Sequence, residues 1–470
     1  MKIKKIKENV YEIPKEGKMN VPGIVYASDN IINMIKKDKT LEQVKNVSEL
    51  PGIIGKSIAL SDCHQGYGFP IGGVAAFDME QGIISPGGVG YDINCSVRLL
   101  RTNLTIKDLE PIKEKIAQSL QRKIPSGVGR GSPFQLNKKQ LDEILEGGAQ
   151  KFIEMGYGKK EDYLHMEEEG CIVGGNSSKV SDRAKKRGIG QLGTLGAGNH
   201  FLDVLVVDEI FDENVAKKFG LSKNQIVILI HCGSRGLGHQ VASDYIKKME
   251  KEYGIKNLPD RELINAPIKS ELGKDYFSAM ACAANFAFAN KQLITHWVRE
   301  DLKNYFPNIK IDVVYDVCHN IAKFEEFEIG GKAQKVCVHR KGATRSFGPG
   351  REEIPKTYRE VGQPVLIPGS MGTSSYVLVG TKKAEELTFG SSVHGAGRAM
   401  SRSKSGKRDL KEIDKELENK KIIVKSGSRQ SLADENTLAY KNIDEVVNVV
   451  HDLGISLKVA KLKPLIVVIG

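Results

Sequence analysis

Between Gly66 and Arg98 glycine recurs every few residues, yet apolar residues are interleaved throughout. A flexible linker would be polar, so this pattern calls for a packed backbone that turns tightly between short strands. The runs Gly72 to Phe77 and Gly82-Ile83-Ile84 supply those strands. The stretch Gly87-Gly88-Val89-Gly90-Tyr91-Asp92-Ile93-Asn94-Cys95 then lets the chain lie close against a ligand. It also presents a hard carboxylate and a soft thiol three positions apart. A thiolate bridges two metal ions readily, and a neighbouring carboxylate suits Mn²⁺ or Zn²⁺. A turn before a buried cysteine would look the same, so further ligands decide the matter.

The rest of the chain mixes strands and helices without a βαβ rhythm. Strands are expected at 10–13, 53–60, 201–207, 226–230, 311–317 and 465–469. Helices are expected at 28–47, at 105–123 with Pro111 in an early turn, at 138–156, at 276–300, and after an Asn442 cap. Such intermixing predicts an α+β fold, taken here as a single large domain over 1–470. Residues 124–190 are polar and rich in Gly, Lys and Arg, and read as an insertion within it. Its basic end, Lys179 to Arg187, reads as a solvated face.

The 470 residues are 40% hydrophobic and 27% charged, an ordinary globular balance. A net charge of +12 favours a polyanionic partner such as nucleic acid, although an evenly Lys-rich surface gives the same figure. Aromatics at 6% argue against a protein built on base-stacking platforms. Seven cysteines without a Cys-x-x-Cys pair fit neither a disulfide framework nor a Cys-rich zinc module. With no secretory signal or apolar span, a reducing cytoplasmic setting is expected.

Three histidines share a local grammar. His200, His231 and His319 each adjoin an expected strand beside Asn, Gly or Cys, and a strand end holds a side chain rigidly at a sheet edge. With Asp92 and Cys95 they make five candidate ligands, more than one tetrahedral site needs. Two ions about 3.5–4 Å apart with Cys95 between them would use all five, an arrangement suited to phosphoryl chemistry. This donor set admits Mn²⁺ and Zn²⁺ alike. His394, flanked by glycine and followed by Arg398, is either a covalent nucleophile toward a phosphate or a further packing or metal-site histidine. The loop Pro368-Gly369-Ser370-Met371 and Ser374-Ser375 offers N–H and hydroxyl donors to phosphate. There is no P-loop and no Gly-x-Gly-x-x-Gly after a strand.

Several long motifs, in order, carry a resemblance. Asp62 to Gly66, Gly87 to Arg98, Gly196 to Phe201, His231 to Gly238, Cys318-His319-Asn320, Arg340 to Ala343 and His394 to Arg398 closely resemble RtcB-type tRNA-splicing RNA ligases, from about residue 8 to the C-terminus. The resemblance implies the family's own α+β fold and a GTP- and Mn²⁺-dependent ligase. Such an enzyme joins RNA 2′,3′-cyclic phosphate or 3′-phosphate ends to 5′-hydroxyl ends. It implies two Mn²⁺ per chain, one on Asp92, Cys95 and His200, the other on Cys95, His231 and His319. His394 would carry guanylate. Asn199, Phe201, Asp203, Asn320, Pro368, Gly369, Ser370, Met371, Ser375, Gly395, Ala396, Gly397 and Tyr440 would contact GTP. Arg235, Lys341 and Arg398 would touch phosphate or RNA. Expected partners are tRNA halves or broken RNA ends, with archease as an activator; a monomer is favoured. Two positions depart from the family pattern: Asp203 stands where Glu is usual, and Ile469 where a Lys is usual. Both bear on guanine preference. The competing readings are a two-metal cyclic phosphodiesterase that never ligates, and a non-catalytic RNA-binding protein.

Overall fold

The computed structural model describes residues 2–127 and 129–470. Two large sheets dominate it. One has seven strands in the order Lys4–Lys7, Val10–Ile13, Gly23–Tyr26, Ile53–His64, Ile71–Asp78, Lys332–Lys341, Asn320–Ile329. The other runs Ile311–Cys318, Ser96–Thr105, Gln225–Cys232, Phe201–Ile210, Ser456–Ile469, Ser375–Gly380, Pro364–Ile367, with Ile423–Ser426 parallel to Ser456–Ile469. Apart from that pair and Gly23–Tyr26 beside Ile53–His64, all pairings in these sheets are antiparallel.

The unbroken apolar run at 226–230 follows from burial on both faces. Val227 and Leu229 join Val97 and Leu99 in a layer shared with Val74, Ala76, Val336 and Val338 of the other sheet. Ile226, Ile228 and Ile230 turn the opposite way, into a core built around the helix Glu271–Lys303. That 33-residue helix buries residues on every face, Ala279 to Ala289 included, so its small side chains permit close packing rather than an amphipathic stripe. The helix Lys138–Glu154 lies along it, and Leu141, Ile144, Leu145, Ala149 and Phe152 enter the same core. The polar 124–190 segment thus contributes one apolar helix face to the main body.

Several boundaries differ from expectation for local reasons. The 28–47 segment forms two helices, Asp29–Ile35 and Thr40–Ser48, each with its own buried face. Pro111 lies in a 3₁₀ turn that separates Ile106–Leu109 from Lys113–Lys123. The last strand begins at Ser456, because its lysine-interrupted first half pairs with Ser375–Gly380. Among the described residues no helix is long and apolar enough to cross a membrane.

Candidate active site

Strand pairing brings the candidate ligands together. Ser96 lies opposite both Cys232 and Cys318, and Phe201 lies opposite His231. The residues just outside or at those positions, Cys95, His200, His231 and His319, therefore gather at one end of three adjoining strands and their neighbour. His319 is the single residue between Ile311–Cys318 of one sheet and Asn320–Ile329 of the other. Its N–H donates to the Cys95 carbonyl (2.9 Å).

The stretch before Cys95 is a buried single helical turn, Pro86–Val89, ended by Gly90 at φ +99°, a conformation open to glycine. The chain then swings back so that the Asn94 N–H donates to the Asn320 carbonyl (2.8 Å) and its amide to the Ala284 carbonyl (2.8 Å). Across the site, a Cβ on Gly233 would sit 2.4 Å from the Asp92 carboxylate and push it out of place.

Two sets of donor atoms result, Asp92–Cys95–His200 and Cys95–His231–His319, each within 4.8 Å of one another and sharing Cys95. Cys95 Sγ is 3.2 Å from His231 Nε2 and 3.4 Å from His200 Nε2. His200 Nε2 is 2.9 Å from Asp92 Oδ2, and His231 Nε2 is 3.3 Å from His319 Nε2. Burial, then the charge of neighbouring histidines, holds His231 and His319 well below the ordinary imidazole value. Both rings are thus neutral, as ligation requires. Burial pushes Asp92 up, but His200 and Arg235 outweigh it, leaving about 2. Burial, with the Asp92 charge, pushes the Cys95 thiol up to about 12. Burial pushes the His200 ring down, but Cys95 and Asp92 outweigh it and hold it well above the ordinary imidazole value; a divalent cation would supply that counter-charge instead and release the protons of Cys95 and His200.

His394 follows the short strand Ser391–Val393, and its ring lies 5.0 Å from that of His319. The fully buried Asp62 fixes it: Oδ2 accepts from the His394 N–H (2.8 Å) and contacts Nδ1 (2.6 Å). With the proton on Nδ1, the lone pair is on Nε2. Sequence reasoning assigned Asp62 no role; its only signal was its place in the Asp62 to Gly66 motif.

A single cavity runs from the ligand cluster past His394. It is lined by Asn199, Phe201, Asp203, Asn320, Pro368 to Met371, Gly395 to Arg398, Tyr440 and Ile469. Asp203 is buried, Oδ1 has no partner, and burial pushes its carboxyl well above the usual range. A buried acid without a partner at a cavity wall has hydrogen-bonding capacity left for a ligand. Other expected residues lie elsewhere or are engaged. Ser375 sits behind the loop, where its Oγ accepts from the Gly369 N–H (3.0 Å), and the Ser370 N–H donates to Thr373 Oγ1 (2.7 Å). Those two N–H groups hold the loop together rather than facing an incoming phosphate. Arg398 donates to Glu435 (3.0 Å) and Ser405 (2.9 Å), with its guanidinium over the Tyr440 ring at 5.3 Å. Arg235, in left-handed backbone at φ +54°, places Nη1 2.9 Å from His200 Nδ1. Lys341 is buried with Nζ donating to the Tyr67 carbonyl at 2.5 Å.

A family model described as tRNA-splicing ligase RtcB matches residues 43–470. The chain belongs to the RtcB family. It is 52% identical to the tRNA-splicing ligase RtcB of Thermococcus kodakarensis over 473 residues, covering 98% of each chain. The protein of the same name from Archaeoglobus fulgidus is 52% identical over 474 residues, again 98% of each. That of Nanoarchaeum equitans is 51% identical over 476 residues, covering 100% of both. This RtcB-family chain is therefore an RNA ligase with a candidate Cys/His/Asp metal cluster, and its α+β fold is that expected of the family.

Proposed function

We propose that the chain joins RNA 3′-phosphate or 2′,3′-cyclic phosphate ends to 5′-hydroxyl ends, with GTP as co-substrate and guanylate carried on His394. The observation that supports this most is the Asp62–His394 pair beside two donor sets that share Cys95. In this reading Asp92, Cys95 and His200 hold one Mn²⁺, and Cys95, His231 and His319 the second. The bound ions would neutralise charge on crowded phosphates.

Asp62 keeps the His394 proton on Nδ1, so Nε2 attacks the α-phosphorus of GTP. The bond to the β-phosphate oxygen breaks and pyrophosphate leaves. An RNA 3′-phosphate oxygen then attacks the same phosphorus, breaking its bond to Nε2 and giving RNA(3′)pp(5′)G. Last, the 5′-hydroxyl attacks the RNA 3′-phosphorus, loses its proton, and GMP departs. A 2′,3′-cyclic end is first opened by water. The Asp203 carboxyl would meet the guanine edge, while Ile469 adds only an apolar wall. tRNA halves and broken RNAs are the substrates in this reading. A phosphodiesterase that never ligates could use such an imidazole as a general acid or base but would carry no guanylate on it.

Incubation with α-labelled GTP and Mn²⁺ tests this. The expected result is an acid-labile labelled adduct that is absent in His394→Ala. No adduct in the wild type, or an undiminished one in the variant, overturns the mechanism.

A further inference from the structure

Beside the ligand cluster, and outside the lining of the Tyr440 and Asp203 cavity, three aromatic rings meet. Tyr91, adjacent in sequence to Asp92, stacks on His239 with centroids 5.0 Å apart at 30°. Tyr67 stands at 88° to Tyr91, 6.2 Å away. Tyr91 is the inner, half-buried member, held by its hydroxyl donating to Glu262 (3.2 Å). The outer members are open: Tyr67 is 67% exposed, and His239 is exposed on the face opposite Tyr91. Tyr67 and His239 pack on Tyr91 on one side only and leave ring surface open to solvent next to the residue that precedes Asp92.

One accessible cation stands next to these rings, while the buried Lys341 anchors the Tyr67 carbonyl (2.5 Å). Arg187, exposed at the basic end of the 124–190 segment, donates to Gln240, the residue after His239, at 3.0 Å. Burial, and then the Arg187 charge, hold the His239 ring below its ordinary value, so it stacks as a neutral imidazole. Negative groups are also near: Glu262 accepts from the Tyr91 hydroxyl, Glu250 pairs with Arg261, and Asp92 and Asp260 act on His239 and Lys341 from further off.

We propose that Tyr67 and His239 form a base-stacking subsite for the RNA nucleotide next to the phosphate being joined, with Arg187 taking its phosphodiester. The proposal rests on the ligase reading and adds where the RNA itself is gripped. Stacking is indifferent to base identity because every base has a π-face, which suits an enzyme that meets ends of varied sequence.

Two RNAs test it, one carrying 2-aminopurine as the last base before a 3′-phosphate, the other as the first base after a 5′-hydroxyl. Each is titrated with protein loaded with Mn²⁺ and GTP. Wild-type protein is first shown to form the His394 adduct, so failure of the ligase reading is seen separately. Stacking quenches 2-aminopurine, and the arm that quenches names the strand. Tyr67→Ala or His239→Ala is expected to abolish the quench and weaken binding about tenfold, the worth of one base–aromatic stack. Tyr67→Phe and His239→Phe keep a ring, hence the quench, and read the proposal even where an alanine variant folds poorly. No quench in either arm with adduct-forming protein, or an unchanged quench in both alanine variants, overturns it.

Discussion

Lys341 occupies a place where a positive charge is hard to keep. Burial drops its amine from the ordinary 10.5 to about 7, with Glu262 and Asp260 pulling weakly the other way. At 1.36 kcal/mol per pH unit, charging it below pH 7 costs on the order of 5 kcal/mol. Because the folded value lies below the unfolded one, the unfolded chain binds the extra proton between about pH 7 and 10.5. Stability from this group therefore rises with pH across that window and levels off above it. Lys341→Met should raise the urea midpoint of the metal-free protein at pH 6 by more than at pH 9; an equal shift at both would refute the assignment. A lysine so placed is costly unless an anion arrives, which fits a phosphate-handling site. The sequence exposes residues like this unevenly. His200, His231 and His319 stand out because strong donors at strand ends are few. Asp62 stays hidden, since an aspartate means little until the fold carries it to His394, 332 residues on.

The joint at Cys318-His319-Asn320 depends on an element far from it in sequence. Glu167, fully buried, accepts from the Cys318 N–H (2.6 Å) and from Lys323 Nζ (2.6 Å), with Arg345 at 3.6 Å. Burial alone would raise its carboxyl, but Lys323 and Arg345 hold it below the ordinary value. The neighbouring Glu168 and Glu169 adopt left-handed backbone at φ +52° and +49°. Such strain persists only where the surroundings over-determine it. Glu167→Ala leaves two buried cations short of a counter-charge and should cost about 3–5 kcal/mol in chemical denaturation. Removing Lys323 as well, as Glu167→Ala with Lys323→Met, should recover part of that loss; a strictly additive loss would deny the coupling. None of this is visible in a run of three glutamates, which reads as solvated surface. Element type was more legible than element limits. The apolar runs at 226–230 and 311–317 mark their strands plainly, whereas the break between Ile35 and Thr40 comes from two separately buried faces that no period reveals.

Across the whole molecule, the ligand cluster is where the two sheets meet, because His319 ends a strand of one and precedes a strand of the other. The α+β class follows from intermixed strands and helices, but the partnering of Ser96–Thr105 with Ile311–Cys318 does not: those residues lie some two hundred apart, and only the finished core sets their register. Composition misleads in the same way, since a Phe, Trp and Tyr content of 6% conceals two tyrosines gathered with a histidine beside the ligand cluster. Ions bound at such a joint would bind the folded chain and not the unfolded one, so they add to stability by mass action. At free Mn²⁺ one hundred times Kd, one site contributes about 2.7 kcal/mol. The thermal midpoint of chelator-treated protein should climb with the logarithm of Mn²⁺ concentration, and far less with Mg²⁺, which binds thiolate and imidazole poorly. Since Cys95 belongs to both donor sets, Cys95→Ala should remove nearly the whole rise, whereas Asp92→Ala should leave the half owed to His231 and His319. Equal residual rises in the two variants would show that the sulfur serves one ion only.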